Sequence, residues 1–101
     1  MKANKDLKRY DRWTREEAKQ FLNTYFDTYT YRTQHYCCER IAESLGRTIP
    51  AVKFRVGEVR SILTDGKKGQ PISRWTTNMI EALDEFLHER NLKVKDAIKI
   101  F

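Results

Sequence analysis

The fold is decided by residues 41–63, which read IAESLGRTIPAVKFRVGEVRSIL. An apolar helical face ends at Leu45, and Gly46 follows at the position where a helix typically stops. Thr48 is a good helix N-cap, and Pro50 fits the first turn of the helix that this threonine would begin. Apolar residues then recur at helical spacing on one face: Val52, Val56, Val59 and Leu63. The stretch therefore predicts two amphipathic helices joined by a tight turn, a helix-turn-helix.

A further helix is predicted ahead of this pair. Thr14 is a good N-cap, and Glu17, three residues later, completes a capping box. The apolar residues that follow lie on one helical face: Ala18, Phe21, Leu22 and Tyr25. A second helix over residues 36–45, after a loop over residues 27–35, and a third over residues 49–63 complete the set. The sequence thus predicts an all-α, three-helix bundle.

Two motifs in this region resemble the Myb/SANT repeat. RWTREE (residues 12–17) is similar to the opening of these repeats, and IAESLGRTIPAVKFR (residues 41–55) is similar to their "IA..LGRT..AV..R" core. The resemblance covers about half of the chain and implies a homeodomain-like helix-turn-helix fold. The chain departs from the family at the three spaced tryptophans, because Trp13 alone is present in this unit. Cys38 and Val56 stand near the other two positions.

Composition divides the chain around the predicted three-helix domain, residues 13–63. Residues 1–12 lack hydrophobic periodicity and hold five basic residues, so they predict a flexible basic arm. Residues 64–73, TDGKKGQPIS, predict a flexible, turn-rich linker. Residues 74–101 begin with a second RWT and continue with an apolar helical face, which predicts a C-terminal helical segment. This segment is either an incomplete second repeat or an unrelated helix that packs on the first unit.

Several function classes are not indicated by the composition. The chain has 101 residues, 40% of them hydrophobic and 34% charged, with no apolar run near the ~20 residues that span a bilayer. Cys37 and Cys38 are adjacent and form neither a disulfide framework nor a zinc site. No catalytic, cofactor-binding or metal-binding motif stands out. We therefore expect an intracellular protein that is not an enzyme and has no cofactor, metal, membrane or small-molecule substrate. It would be cytoplasmic in a prokaryote or phage and nuclear in a eukaryote.

The net charge of +6 is concentrated in one segment. Residues 47–74 hold seven basic and two acidic residues, whereas residues 1–46 hold nine and seven, and residues 75–101 hold four and five. A basic segment on an exposed helix suits a polyanion such as nucleic acid. The alternative is that these charges only make the surface soluble.

The Myb/SANT resemblance implies that the outer face of the third helix enters the major groove of double-stranded DNA. By resemblance, Lys53 matches a DNA-contacting position, Arg60 would reach a phosphate, and the turn before the helix would meet the backbone. The arginines of the arm would reach a minor groove, as homeodomain arms do. The predicted DNA-binding residues are Arg9, Arg12, Arg47, Thr48, Pro50, Lys53, Phe54, Gly57 and Arg60. The corresponding function is that of a DNA-binding transcriptional regulator.

Two residues keep an alternative function open. Phe54 and Gly57 stand where base-reading Myb repeats often place asparagines, and an outward phenylalanine suits a protein contact. The alternative is a SANT-type module that docks a protein partner through the same face. Arg55 lies between the two faces of the helix, and we expect it to pair with Glu16 or Glu17.

Overall fold

The computed structural model describes residues 12–30 and 33–101, and all regular structure in these two stretches is helical. The elements in chain order are α1 (Arg15–Thr28), α2 (Gln34–Leu45), α3 (Ile49–Leu63), a 3₁₀ helix (Ile72–Arg74), α4 (Thr77–Glu89) and α5 (Val94–Ala97). The predicted all-α class is confirmed. The predicted basic arm, with Arg9, falls almost entirely on residues 1–11, which lie outside the described residues.

The connection between α1 and α2 is shorter than the predicted loop over residues 27–35. Helix α1 continues to Thr28, and α2 begins at Gln34. Thr33 sets this start, because its side-chain hydroxyl accepts a hydrogen bond from the backbone N–H of Tyr36 at 3.2 Å. A threonine that by propensity favours extended backbone is therefore used here as a helix cap.

The turn between α2 and α3 agrees with the sequence prediction. Gly46 adopts a left-handed conformation with φ of 67°, which glycine reaches without a steric penalty. The backbone N–H of Arg47 donates to the carbonyl of Ala42 at 3.0 Å, which closes the end of α2. Thr48 then caps α3, and its hydroxyl accepts from the N–H of Ala51 at 3.2 Å. Only three residues separate the two helices.

Helices α1 and α4 pack side by side and form the most extensive helix–helix contact of the described chain. Arg15 Nη1 lies 3.2 Å from Glu81 Oε1, and Lys19 Nζ lies 3.2 Å from Glu85 Oε1 and 2.9 Å from Glu89 Oε1. Because the residue numbers rise together on both helices, α1 and α4 run parallel. The crossover that makes this parallel pairing possible is formed by α2, α3 and the segment after them.

One hydrophobic core serves the whole described chain. The buried apolar residues, contributed by all five α-helices and by the last residue, are Ala18, Phe21, Leu22, Tyr25, Cys37, Cys38, Ile41, Ala42, Leu45, Val52, Val56, Val59, Leu63, Met79, Ala82, Leu83, Phe86, Ala97 and Phe101. The C-terminal segment therefore packs on the first three helices and shares their core. Its four-residue helix α5 is much shorter than the second helix of a complete repeat would be.

Two titratable side chains, the phenol of Tyr25 and the thiol of Cys38, are buried in the core. Burial, and then the neighbouring Cys37 and Cys38, raise the pKa of Tyr25 to about 12. Burial raises the pKa of Cys38 to about 11, and Lys53 opposes this shift. Neutral side chains are favoured at both positions because the apolar surroundings solvate a phenolate or thiolate poorly.

We expect these two groups to make the fold sensitive to alkali. The folded state holds both protons more tightly than the unfolded chain, whose pKa values are near 9.0 for Cys38 and 10.0 for Tyr25. Stability from this source is therefore intact below pH 9 and is lost as the pH rises through about 12. Thermal unfolding between pH 8 and 12 should show Tm falling in this window. Tyr25→Phe should remove the part of the fall above pH 10, and an unchanged profile in that variant would contradict the assignment.

Candidate nucleic-acid interface

The two RWT motifs begin the two parallel helices. Thr14 caps α1 and Thr76 caps α4, and each hydroxyl accepts from the backbone N–H three residues later, that of Glu17 at 3.1 Å and that of Met79 at 3.3 Å. The backbone N–H of each threonine donates to a glutamate. Thr14 uses Glu17 of its own helix at 3.0 Å, whereas Thr76 uses Glu58 of α3 at 2.7 Å. The repeated motif thus makes the same kind of helix start twice, with a carboxylate from a different element in the second.

Arg47 is buried and binds the residues at the start of α1. Its Nη2 lies 2.7 Å from Glu17 Oε1 and donates to the backbone carbonyl of Arg12 at 3.2 Å. The guanidinium also lies over the Trp13 ring, 5.0 Å from its centroid, and the residue is only 3% exposed. The predicted role of Arg47 as a DNA-backbone contact is therefore corrected. The side chain points into the protein, where the Glu17 carboxylate and the Arg12 carbonyl accept its hydrogen bonds.

Arg55 also differs from its predicted pairing with Glu16 or Glu17. It lies 2.5 Å from Oε1 of Glu58, one turn further along α3. Glu58 is completely buried, and its other oxygen accepts from the backbone N–H and the hydroxyl of Thr76, at 2.7 and 2.9 Å. Arg55 and Glu58 are three residues apart on one helix, a spacing that the sequence does show. The sequence could not reveal that Thr76, 18 residues further along the chain, also binds Glu58.

The predicted linker is packed against α3, and we call residues 64–71 the strap. The backbone N–H of Gln70 donates to the carbonyl of Gly57 at 3.2 Å, and that of Gly66 donates to the carbonyl of Ser61 at 2.8 Å. Gly57 and Ser61 are buried as a result. This corrects two expectations, a flexible linker and an outward-facing Gly57, because the small side chains of this helix face allow the strap to approach.

The end of the described chain covers another predicted contact residue. Both Nε and Nη2 of Arg60 donate to the backbone carbonyl of Phe101, the first at 2.9 Å. The Phe101 ring stacks on Tyr25 with a centroid separation of 4.6 Å. Arg60 was predicted to reach a phosphate, but its guanidinium is held by an acceptor 41 residues away in the sequence. Local sequence carries no signal for such a contact.

The open part of α3 is its first two turns. Pro50 and Lys53 are exposed, and Thr48 is half-buried at the cap. Phe54 is half-buried, with the Arg55 guanidinium 4.9 Å from its ring centroid. Of the predicted contact residues on this helix, these are the ones that the fold brings together on an accessible face.

Exposed positive charge lies on this face and on the segment behind it. Within residues 47–74, three arginines have internal acceptors, and the exposed basic residues are Lys53, Lys67, Lys68 and Arg74. Of the two acidic residues in that segment, Glu58 is buried and Asp65 is exposed at the turn after α3. The positive charge that was predicted for the third helix and the linker after it is thus exposed at the start of α3 and in the segment that follows the helix.

A cleft of about 420 Å³ opens between the two RWT motifs. Its walls come from the residues ahead of α1, from α3 and from the start of α4: Arg12, Trp13, Arg55, Trp75, Thr76, Thr77 and Asn78. The Trp75 indole N–H donates to Ser61 Oγ at 2.8 Å, and Asn78 Nδ2 donates to the carbonyl of Trp13 at 2.8 Å. Arg12, which was predicted to contact DNA from the basic arm, is exposed and lines this cleft.

A scan against protein-family models and searches of curated proteins and of solved structures return no match to this chain. The Myb/SANT resemblance therefore rests on the two sequence motifs. Across residues 12–30 and 33–101, no group of three or more His, Cys, Asp or Glu side chains is arranged to hold a metal ion. No helix in these stretches is long and apolar enough to cross a membrane.

Gly69→Ala tests the packing of the strap. Gly69 has φ of +79°, and a Cβ there would lie 2.2 Å from the carbonyl oxygen of Gly57. We expect the free energy of unfolding to fall by about 1–3 kcal/mol from the backbone conformation alone, measured by urea denaturation. Trypsin should also cleave faster after Lys67 and Lys68 in this variant.

Gly57→Ala is the matched control for this substitution. Its added Cβ would meet the flexible side chain of Gln70 at 3.1 Å, and alanine gains up to about 1 kcal/mol of helix propensity. The two effects offset each other, so we expect stability close to that of the wild type. Equal stability of the Gly69 and Gly57 variants would argue against a packed strap.

Proposed function

We propose that this chain binds double-stranded DNA and acts as a transcriptional regulator, with the first two turns of α3 in the major groove. The observation that carries the proposal is the exposure of Pro50 and Lys53 at the start of a helix that follows a three-residue turn. Helix-turn-helix proteins read base edges with the N-terminal residues of their second helix. The resemblance of residues 12–17 and 41–55 to Myb/SANT repeats points to the same face.

The charge of this face supports a polyanion as the ligand. Glu58 is the only acidic residue of α3, and it is completely buried, so the helix presents no carboxylate to a phosphate. Lys53 lies on the helix, and Lys67 and Lys68 lie on the strap that packs against the C-terminal half of the same helix. All three side chains are exposed, so the strap adds positive charge to that of α3, which suits a polyanion.

The contacts that we propose are fewer than the sequence alone predicted. Lys53 would reach a base edge or a phosphate, and the ring of Phe54 would contact a thymine methyl group. Thr48 and Pro50 lie at the helix start, where backbone N–H groups favour a phosphate. Arg47, Gly57 and Arg60 are left out of this interface because the protein itself covers or pairs them.

A charge-reversal pair tests the placement of the interface. Lys53→Glu should weaken binding to duplex DNA by tenfold or more, because it replaces a contact cation by an anion beside phosphates, a loss of about 1–3 kcal/mol. Lys95→Glu makes the same change on the exposed surface of α5 and should have a much smaller effect. The affinity of each variant for labelled duplex DNA is measured by fluorescence anisotropy over a range of salt concentrations.

The salt dependence decides whether the proposal stands. The affinity of the wild type should fall steeply with salt, and each phosphate contact contributes about 0.9 to the log–log slope. Lys53→Glu should reduce that slope, while Lys95→Glu should leave it unchanged. Absence of binding at low salt would rule out the DNA proposal, and equal losses in the two variants would rule out α3 as the interface.

A second candidate function is a SANT-type module that docks a protein on the same face. The half-exposed ring of Phe54 beside the exposed Pro50 favours it, because aromatic residues are enriched at protein interfaces. Phe54→Ala and Lys53→Glu separate the two functions. A protein partner should be lost with the first variant and retained with the second, whereas DNA binding should respond more strongly to the second.

A further inference from the structure

The cleft between the two RWT motifs is a concave site, and it is separate from the open face of α3. Arg12 and Trp13 reach it from just ahead of α1, and Arg55 reaches it from the side of α3. Trp75 and the first residues of α4 form the opposite wall. Its volume of about 420 Å³ lies within the ~300–1,000 Å³ that small-molecule sites occupy.

The walls of the cleft are rich in hydrogen-bond donors. None of its seven lining residues is acidic, and two of them are arginines. Arg12 is exposed, and its guanidinium has no partner among the described residues. Arg55 Nε is buried and has no acceptor within the described part of the chain, although its Nη1 is paired with Glu58. The positive charge of Arg55 therefore lies in the wall of the cleft, while the accessible donors are those of Arg12 and of the start of α4.

The start of α4 adds backbone donors to the same wall. The backbone N–H of Thr76 donates to Glu58, and that of Met79 donates to the Thr76 hydroxyl. The N–H of Ile80 donates to the carbonyl of Thr76, the first backbone hydrogen bond of the helix. The N–H groups of Thr77 and Asn78 have no acceptor in the described stretches, as expected for the first turn of a helix. The N-terminal end of α4 also carries the positive end of the helix dipole.

Two fixed indole rings complete the cleft. Trp75 is held by its hydrogen bond to Ser61, and Trp13 is held between an edge contact with Phe21 and the Arg47 guanidinium. These rings give the site rigid apolar surface next to its donors. A ligand that matches both features is anionic at one end and has apolar or planar surface at the other.

The geometry points to this cleft as a binding site for the phosphate of a nucleotide. The Arg12 guanidinium and the free N–H groups at the start of α4 supply donors for the phosphate oxygens, Arg55 adds positive charge to one wall, and the two tryptophans line the rest of the cleft. The phosphate has two sources, a free nucleotide or the backbone of bound DNA, and the second of these rests on the proposed function. In either case the site uses none of the exposed residues of the α3 face.

Tryptophan fluorescence reads this site directly. The chain contains two tryptophans, Trp13 and Trp75, and both line the cleft. The full chain is titrated with inorganic phosphate, with adenosine 5′-monophosphate and with a short DNA duplex, each at constant ionic strength set by sodium chloride. We expect a saturable change in tryptophan emission.

A matched pair of arginine variants assigns the response to the cleft. Arg12→Gln removes an exposed guanidinium that lines the cleft and should weaken binding about tenfold, the loss of a charged hydrogen bond. Arg74→Gln removes the equivalent arginine of the second RWT motif, which is exposed and does not line the cleft, and should bind as the wild type does. Circular dichroism checks that both variants keep the helical fold.

The outcomes separate this site from the proposed function. A saturable response to phosphate or to the mononucleotide that Arg12→Gln weakens supports the site, and a response to DNA with the same sensitivity assigns its source to the backbone. No saturable response to any probe, or equal effects of the two variants, overturns it. DNA binding by anisotropy without any tryptophan response overturns the cleft and leaves the α3 interface. A phosphate response without DNA binding overturns the α3 interface with DNA and leaves the cleft as a phosphate site.

Discussion

The buried carboxylate of Glu58 is the interaction on which the rest of the structure depends. One oxygen is paired with Arg55, and the other accepts two hydrogen bonds from Thr76. A carboxylate that is completely buried must have such partners, because removing one member of a buried pair costs about 3–5 kcal/mol. By holding Thr76 on α3, this contact sets where α4 begins and directs it parallel to α1. The long α1–α4 contact, the single core and the cleft between the two RWT motifs all follow from that placement.

This arrangement also decides which charges face solvent. Arg47, Arg55 and Arg60 account for three of the seven basic residues in the most basic segment, and each is engaged by an internal oxygen. The strap then covers the C-terminal half of α3 and brings its own lysines to the surface. The basic surface is consequently divided between the start of α3 and the strap. The net charge of the segment therefore overstates the positive charge that α3 presents to a phosphate, because three of its arginines are bound to oxygens within the protein.

The repeated RWT motif has a local meaning and a non-local one. Locally, each threonine caps a helix through the same hydrogen bond to the third residue. Non-locally, the first motif is completed by a glutamate of its own helix and the second by Glu58 of α3. Within the described chain, the helix that follows the second motif packs in the same core as the first three helices. The second motif also places Trp75 across the cleft from Trp13.

Much of the secondary structure was predictable from the sequence, and the candidate sites were predictable only in part. The caps at Thr14 and Thr48, the turn at Gly46 and the apolar faces of the helices are local patterns, set within about one helical turn of each residue. The hydrogen bonds of Arg60 to Phe101, the burial of Gly57 and the contact of Glu58 with Thr76 depend on residues 13 to 41 positions away. Local periodicity cannot specify such partners, because they are chosen when helices pack and buried polar groups must find acceptors. The sequence by itself thus determined the helices and the presence of an open helix start bearing Lys53. Tertiary packing alone decided that half of α3 would be covered and that two distant RWT motifs would meet across a cleft.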